Sequence, residues 1–486
     1  MNKLLTLLAA AAFAAADGTR PPALAGHFYP AKAKDLAALV DAQLAQAPVE
    51  VLPAGASVVA LLVPHAGLEF SGSTAARAYK LLKKGDFDAV IVVGTCHYKE
   101  LEGAALYPGA YGTPDGFLPY ASDLAKALMK ASPLIKENAA AHKKEQSIEV
   151  EIPYLRRALG RVPLVALIMN TQDLESSRRI GEAIAKVVKG RRVLLVASSD
   201  QSHFPSGGIA DAVDRTTLAA LQTLEPAYFW LTNRYLMNRS LPHLSVTYCG
   251  EGAVIAVMTA ARELGANRAR VLAHLNSGDV VSERDYNHVV GYAAAAFTRE
   301  PGAAPSRPSL STKEKRALII NAHAAVEAAV AVAGGGAAAP LSADALLNLP
   351  AAVFVTLRGP DGKQRGRAGA LEPQESLLEA VVHDAEAAAR EKHAPVTAAE
   401  APGLKAEIAV LSPARTVSAE AVKPGDGVAV EQDGRQGVFL PEAWKELPKK
   451  DDFLGELCAK KAGLPRDCWK SASATLKVFS VDRFGE

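Results

Sequence analysis

Short, continuous apolar runs alternate along the chain with longer stretches whose apolar positions fall three or four apart. The runs at 58–63 (VVALLV), 89–93 (AVIVV), 162–169 and 193–197 (VLLVA) are bounded by turn signals and read as strands buried on both faces. Two further runs, 270–275 and 288–297, read as the last strands of the same region. Helical spacing marks 35–47, 74–82, 124–129, 174–188 and 253–264, and residues 111–114 (YGTP) read as a turn. This alternation predicts an α/β domain: a central, mostly parallel sheet with helices on both faces. Ligands of such sheets bind beyond the carboxyl ends of the strands. Three of the runs deliver polar residues there: Pro64-His65, then Gly94-Thr95-Cys96-His97, then Ser198-Ser199-Asp200 with His203. One sheet edge is therefore expected to gather His65, Cys96, His97, Asp200 and His203.

Two other stretches bear on that edge. In residues 145–151 (EQSIEVE), Glu145 and Glu149 share a face if the segment is helical. Such carboxylates either orient histidines that bind a metal or form a solvated acidic face. Thr247-Tyr248-Cys249-Gly250 opens the helical run at 253–264, and the partial positive charge of a helix N-terminus favours a thiolate at Cys249. Imidazole and thiolate together suit iron, copper or zinc, and two histidines with one thiolate leave a coordination position open. No CxxC or HExxH spacing is present. Spacing alone leaves a metal centre and a set of packed, capping side chains as equal alternatives.

Beyond residue 300 the pattern changes. Residues 300–309 (EPGAAPSRPS) have no apolar period and read as a linker. Ser311 and Glu314 form a capping box that starts a helix running to about 332, broken by Gly334-Gly335-Gly336. Strands at 352–357, 406–411, 428–431 and 436–440 follow in irregular order with helices at 377–390 and 453–461. Arg358 to Gly362 read as a hairpin turn, Asp433-Gly434 as a type I′ turn, and Gly463 as a helix stop. The expectation is a smaller α+β domain over 310–486.

Length and composition agree with two domains: 486 residues are too many for one, and 49% are hydrophobic. Lys plus Arg is 54 against 52 for Asp plus Glu, which gives no basis for binding nucleic acid or an anionic membrane. Met1-Asn2-Lys3, an apolar core over 4–15 and Ala14-Ala15-Ala16 form a secretory signal peptide over 1–16. Cleavage would leave a periplasmic or otherwise extracytoplasmic chain with no stable membrane span; a short uncut anchor is the alternative. Of four cysteines, Cys458 and Cys468 lie close enough for a local disulfide or stand as two solitary thiols.

Val63-Pro-His-Ala-Gly67, Gly94-Thr-Cys-His97, Glu145-Gln-Ser-Ile-Glu149 with Pro153-Tyr154, Ser198-Ser-Asp200 with His203, and Tyr248-Cys-Gly250 occur in one order. Over residues 20–299 this set resembles the Memo family, whose fold is similar to class III extradiol dioxygenases. The resemblance implies a mononuclear iron or copper ion held by His65, His97 and Cys249, with redox or oxygen-linked chemistry on an unknown small-molecule or peptide substrate. It places Asp200 and His203 beside the ion as proton-handling groups, with Glu145 orienting the site. Two positions depart from the family. Gln146 stands where members read His, which removes a proton carrier, and Cys96 adds a thiol that is either an extra ligand or a disulfide partner for Cys249. The alternative function is a non-catalytic, peptide-binding or metal-sequestering protein on the same fold.

In the second domain, Phe354-Val-Thr-Leu357, Arg365-Gly-Arg-Ala-Gly369 with Leu371-Glu-Pro373, Val410-Leu-Ser-Pro413, Gly437-Val-Phe-Leu-Pro441 and Lys461-Ala-Gly-Leu464 with Trp469 resemble the AMMECR family. The thiol usual in its R-G-C-I-G motif is Arg367 here, which implies an accessory or binding role; Arg365 and Arg367 could hold an anion or be plain surface arginines. The two resemblances together imply a radical SAM protein as a third member of the system.

Overall fold

Among the described residues up to Arg299 there are ten strands: β1 (Ser57–Val63), β2 (Ala89–Thr95), β3 (Ala104–Leu106), β4 (Tyr111–Thr113), β5 (Gly116–Leu118), β6 (Ile135–Glu137), β7 (Leu164–Met169), β8 (Val193–Ser198), β9 (Arg268–Asn276) and β10 (Gly291–Arg299). The structure, a computed structural model, describes residues 18–280, 285–303, 309–331, 341–391 and 395–486. The proposed signal peptide, half of the proposed linker and the Gly334–Gly336 break lie outside the described residues. The chain divides into two compact units, Met1–Pro308 and Ser309–Glu486.

Eight strands of the first unit form one sheet in the order β6-β3-β7-β2-β8-β1-β10-β9. Its centre, β7-β2-β8-β1, is parallel, while β3 joins β7 and β10 joins β1 antiparallel. The central strands are Val, Leu and Ile along nearly their whole length because both faces are covered. Leu61, Val63, Val92 and Val196 pack on one face with Ala75, Ala76 and Tyr79 of helix Gly72–Tyr79 and Leu155 of helix Ile152–Leu159. Helix Glu251–Glu263 lies against β1, β2, β7 and β8, backed by helix Leu174–Val188. Each Leu or Val buried there contributes roughly 1.5–3 kcal/mol.

Several details differ from the sequence expectation. Residues 111–114 are not a simple turn: β4 and β5 pair as a hairpin whose tip is Pro114-Asp115. Helices Gly207–Leu221 and Pro226–Asn238 are additional to those the spacing predicts. Residues 145–148 are not helical, and a 3-10 turn over Glu149–Glu151 leads directly into the next helix, so Glu145 and Glu149 share no face.

The second unit holds two four-stranded antiparallel sheets. Helix Thr312–Val330 opens on the Ser311/Glu314 capping box and packs with helix Leu377–Ala389. Asp433 and Gly434 have φ of 51° and 73°, the left-handed pair a type I′ turn requires. Cys458 and Cys468 are joined in a disulfide. Arg365 already donates to Glu400 at 2.9 and 3.0 Å, and the Arg367 guanidinium stacks 4.9 Å over the Phe354 ring. Arg365 is thus occupied by a carboxylate within its own unit. Among the described residues no helix is long and apolar enough to cross a membrane.

Candidate metal centre

β1, β2 and β8 run parallel and end together, so the polar residues just past their carboxyl ends share one edge. Pro64 ends β1 and leaves His65 buried at 1% exposure. Its Nδ1 lies 2.9 Å from Ser198 Oγ at the end of β8, and its Nε2 lies 3.1 Å from Cys249 Sγ. His97, beyond β2, is 28% exposed; its Nδ1–H donates to Glu145 Oε1 at 2.8 Å, and its backbone N–H donates to Glu145 Oε2 at 2.8 Å. Cys249 precedes helix Glu251–Glu263. The ligand atoms of His65, His97 and Cys249 lie within 4.8 Å of one another.

The tethers set the chemistry. A histidine that donates from Nδ1 presents Nε2 as a bare lone pair. Burial lowers the His65 pKa to about 4, so its ring is neutral at neutral pH although Asp200 pulls the other way. Burial also opposes ionisation of Glu145, but hydrogen bonds from His97 and Ser147 outweigh it and hold the carboxyl at about 2. The thiolate expected at Cys249 from its place before a helix is not the resting state: burial, then Asp200, push the thiol upward. A cation would replace that proton.

Asp200 Oδ1 accepts the backbone N–H groups of His65 at 2.7 Å and Ala66 at 3.2 Å, which fixes the loop after β1. His203 Nδ1 donates to the Gln201 carbonyl at 2.8 Å. Gly94 lets the 145–147 loop approach β2, because a Cβ there would collide with Ser147 Oγ. The Gln146 amide nitrogen lies 2.9 Å from His97 Nδ1, and its buried Oε1 has no partner among the described residues.

Two expected members go elsewhere. Cys96 and Cys249 are both free, and Cys96 packs in the apolar core. Cys96 belongs to no trio of ligand atoms among the described residues, so it does not accompany His97 into the site. Glu149 accepts from Arg20, Tyr29 and the Ala23 and Leu24 amides, and so anchors the extended N-terminal segment. One participant gives no sequence signal: fully buried Glu151, whose Oε1 lies 3.0 Å from Ser198 Oγ.

Two imidazoles tethered at Nδ1, with a thiol whose sulfur lies within 4.8 Å of a ligand nitrogen of each, fit a borderline or soft metal ion. Comparison with known proteins agrees on the family. Residues 20–296 match the family described as Memo-like protein, and residues 321–484 match AMMECR1. A MEMO1 family protein of Nitrosopumilus maritimus is 30% identical over 282 residues, covering 57% of this chain and 99% of that protein. One from Methanopyrus kandleri is 32% identical over 291 residues, covering 58% and 99%. A solved structure of an uncharacterized protein from Pyrococcus horikoshii is 30% identical and covers 35% of this chain and 89% of that one, with a TM-score of 0.31. The chain belongs to the Memo family, and an AMMECR1 domain follows its Memo domain.

Proposed function

We propose that the first unit is an iron or copper centre in which His65 Nε2, His97 Nε2 and Cys249 Sγ hold one ion. The observation that carries this reading is the pair of Nδ1 tethers, which put the lone pair of each ring on Nε2 in two histidines whose ligand atoms lie within 4.8 Å of the thiol. When bound, such an ion supplies one-electron and oxygen-linked chemistry. The chain's own residues orient and exchange protons around it. Glu145 and Ser198 fix the two rings, Asp200 fixes the backbone that carries His65, and His203 moves a proton at Nε2 on a small-molecule or peptide substrate. Export is part of the proposal, and the Cys458–Cys468 disulfide supports it because such bonds persist in oxidising compartments. The AMMECR1 domain serves as an accessory module, with a radical SAM protein as partner. A second reading, metal sequestration without turnover, is favoured by Gln146, an amide that cannot carry a proton beside His97.

Metal content of the exported, reduced, full-length protein tests the reading. Near-stoichiometric iron or copper, lost in both His65→Ala and Cys249→Ser, is expected. No uptake of Fe(II) or Cu(I) by the parent would sink it. Substrate-dependent oxygen consumption separates turnover from sequestration.

A further inference from the structure

Cys249 belongs to two trios of ligand atoms. One is His65, His97 and Cys249; the other is Asp200, His203 and Cys249, again with all ligand atoms within 4.8 Å of one another. Only the sulfur is common to both. A single ion with bonds of about 2.0–2.3 Å gathers atoms over such a radius, yet the five residues do not form one such group.

The second trio has the same preparation as the first. His203 donates from Nδ1 to the Gln201 carbonyl at 2.8 Å, which leaves Nε2 as its lone-pair nitrogen, as in His65 and His97. Asp200 spends Oδ1 on two backbone N–H groups, while Oδ2 has no hydrogen bond among the described residues. Asp200 is 5% exposed, and Oδ2 is not one of the fully buried side-chain oxygens that lack a partner, so this oxygen opens on the pocket and is accessible to a cation. Charge points the same way. Glu145, Asp200 and a metal-bound Cys249 thiolate present more negative charge than one divalent ion balances.

We infer that the pocket has a second cation site, in which Asp200 Oδ2, His203 Nε2 and the sulfur of Cys249 bind a borderline divalent ion of the zinc class, with Cys249 shared between the two sites. The inference rests on the proposed centre at His65, His97 and Cys249. The proton-moving role of His203 then belongs to the one-ion state, and filling the second site switches that role off.

Zinc stoichiometry decides it. The reduced, metal-free, full-length protein is titrated with Zn(II) against a chromophoric chelator, and bound zinc is measured after desalting; Co(II) spectra report thiolate ligation. Two equivalents are expected in the parent, one in Asp200→Asn, one in His203→Ala, one in His97→Ala, and neither at parent affinity in Cys249→Ser. The equivalent retained by Asp200→Asn and His203→Ala shows that these variants are folded. A single equivalent in the parent overturns the second site and leaves the proposed centre standing. Two equivalents that survive Asp200→Asn and His203→Ala place the extra ion elsewhere and overturn it too. Loss of both equivalents in His203→Ala merges the trios into one centre, which also overturns it. No zinc in the parent overturns the second site, while the Fe(II) and Cu(I) uptake of the same protein decides the proposed centre separately.

Discussion

Replacing Glu151 with glutamine should make the first unit more stable at pH 8 and less stable near pH 4.5. The reason is a count of protons behind His65. Ser198 Oγ lies 2.9 Å from His65 Nδ1, 2.6 Å from the Ser147 carbonyl and 3.0 Å from Glu151 Oε1. The carbonyl can only accept, so it takes the hydroxyl's one proton. His65 donates to Ser198 from Nδ1, and the Glu151 contact is satisfied only if Glu151 donates as well. Tyr79 donates to Glu151 Oε2 at 2.8 Å, which completes a neutral carboxylic acid. Burial agrees: it raises the carboxyl from 4.5 to about 8, against the Tyr79 and Ser198 hydrogen bonds. The native state therefore holds a proton that the unfolded chain releases above about pH 4.5. Stability from this group is complete below that pH and falls as pH rises to about 8, by at most roughly 1.4 kcal/mol per unit and roughly 4–5 kcal/mol across the window. Glutamine donates to Ser198 and accepts from Tyr79 at every pH, but its second N–H lacks an acceptor, at about 1–3 kcal/mol. Glu151→Gln should thus lose by that amount at pH 4.5, cross the parent in the middle of the window and lead by about 1–3 kcal/mol at pH 8. Buried Glu251 and Asp214 are also shifted upward, but they are common to both proteins and cancel in the difference. Urea unfolding of the full-length pair from pH 4.5 to 8.5 reads it. A stability difference that stays flat with pH would mean an ionised native Glu151 and would refute the proton count.

Three further outcomes are expected. Glu145→Gln keeps the size but weakens the acceptor of the His97 Nδ1–H, so metal affinity should fall about 10–100-fold by chelator competition while the fold persists. Glu149→Ala leaves the Arg20 guanidinium, 3% exposed, without its carboxylate and should cost about 3–5 kcal/mol in urea unfolding of the first unit. Reducing the Cys458–Cys468 disulfide, which spans a sequence separation of 10, or replacing both cysteines with serine, should lower second-unit stability by about 2–3 kcal/mol, read as a lowered second transition.

The fold was legible where burial is uniform. Strands β1, β2, β7 and β8 are buried on both faces, so each appears as an unbroken apolar run. Helix Gly207–Leu221 was not legible, because Asp214, Thr216 and Thr217 sit on its buried side and erase the polar–apolar contrast. Strands β3 and β6 have three residues each, too short to show a period. The 145–151 segment misled for a related reason: EQSIEVE looks like a solvated acidic face, yet Glu145, Glu149 and Glu151 are all buried, each against different partners.

The site divides along the same line. His65, His97, Asp200 and His203 could be named from sequence because each ends an apolar run, and parallel strands bring their ends to one edge. What would make these side chains a metal centre, however, is the group on each Nδ1, and two of those groups are remote. Glu145 is 48 residues from His97, and Ser198 is 133 from His65. The expectation of a resting thiolate at Cys249 failed on a balance of magnitudes. A helix N-terminus offers about 0.3–1 kcal/mol to a nearby anion at an exposed site, whereas desolvating an unpaired charge costs several kcal/mol, and Cys249 is half-buried beside Asp200. The resting pocket keeps His65 neutral and Cys249 protonated, with an ionised Glu145 held by His97 and backbone N–H groups. An arriving cation then releases the thiol proton and meets a thiolate in a fixed pair of imidazoles, so its binding should tighten as pH rises.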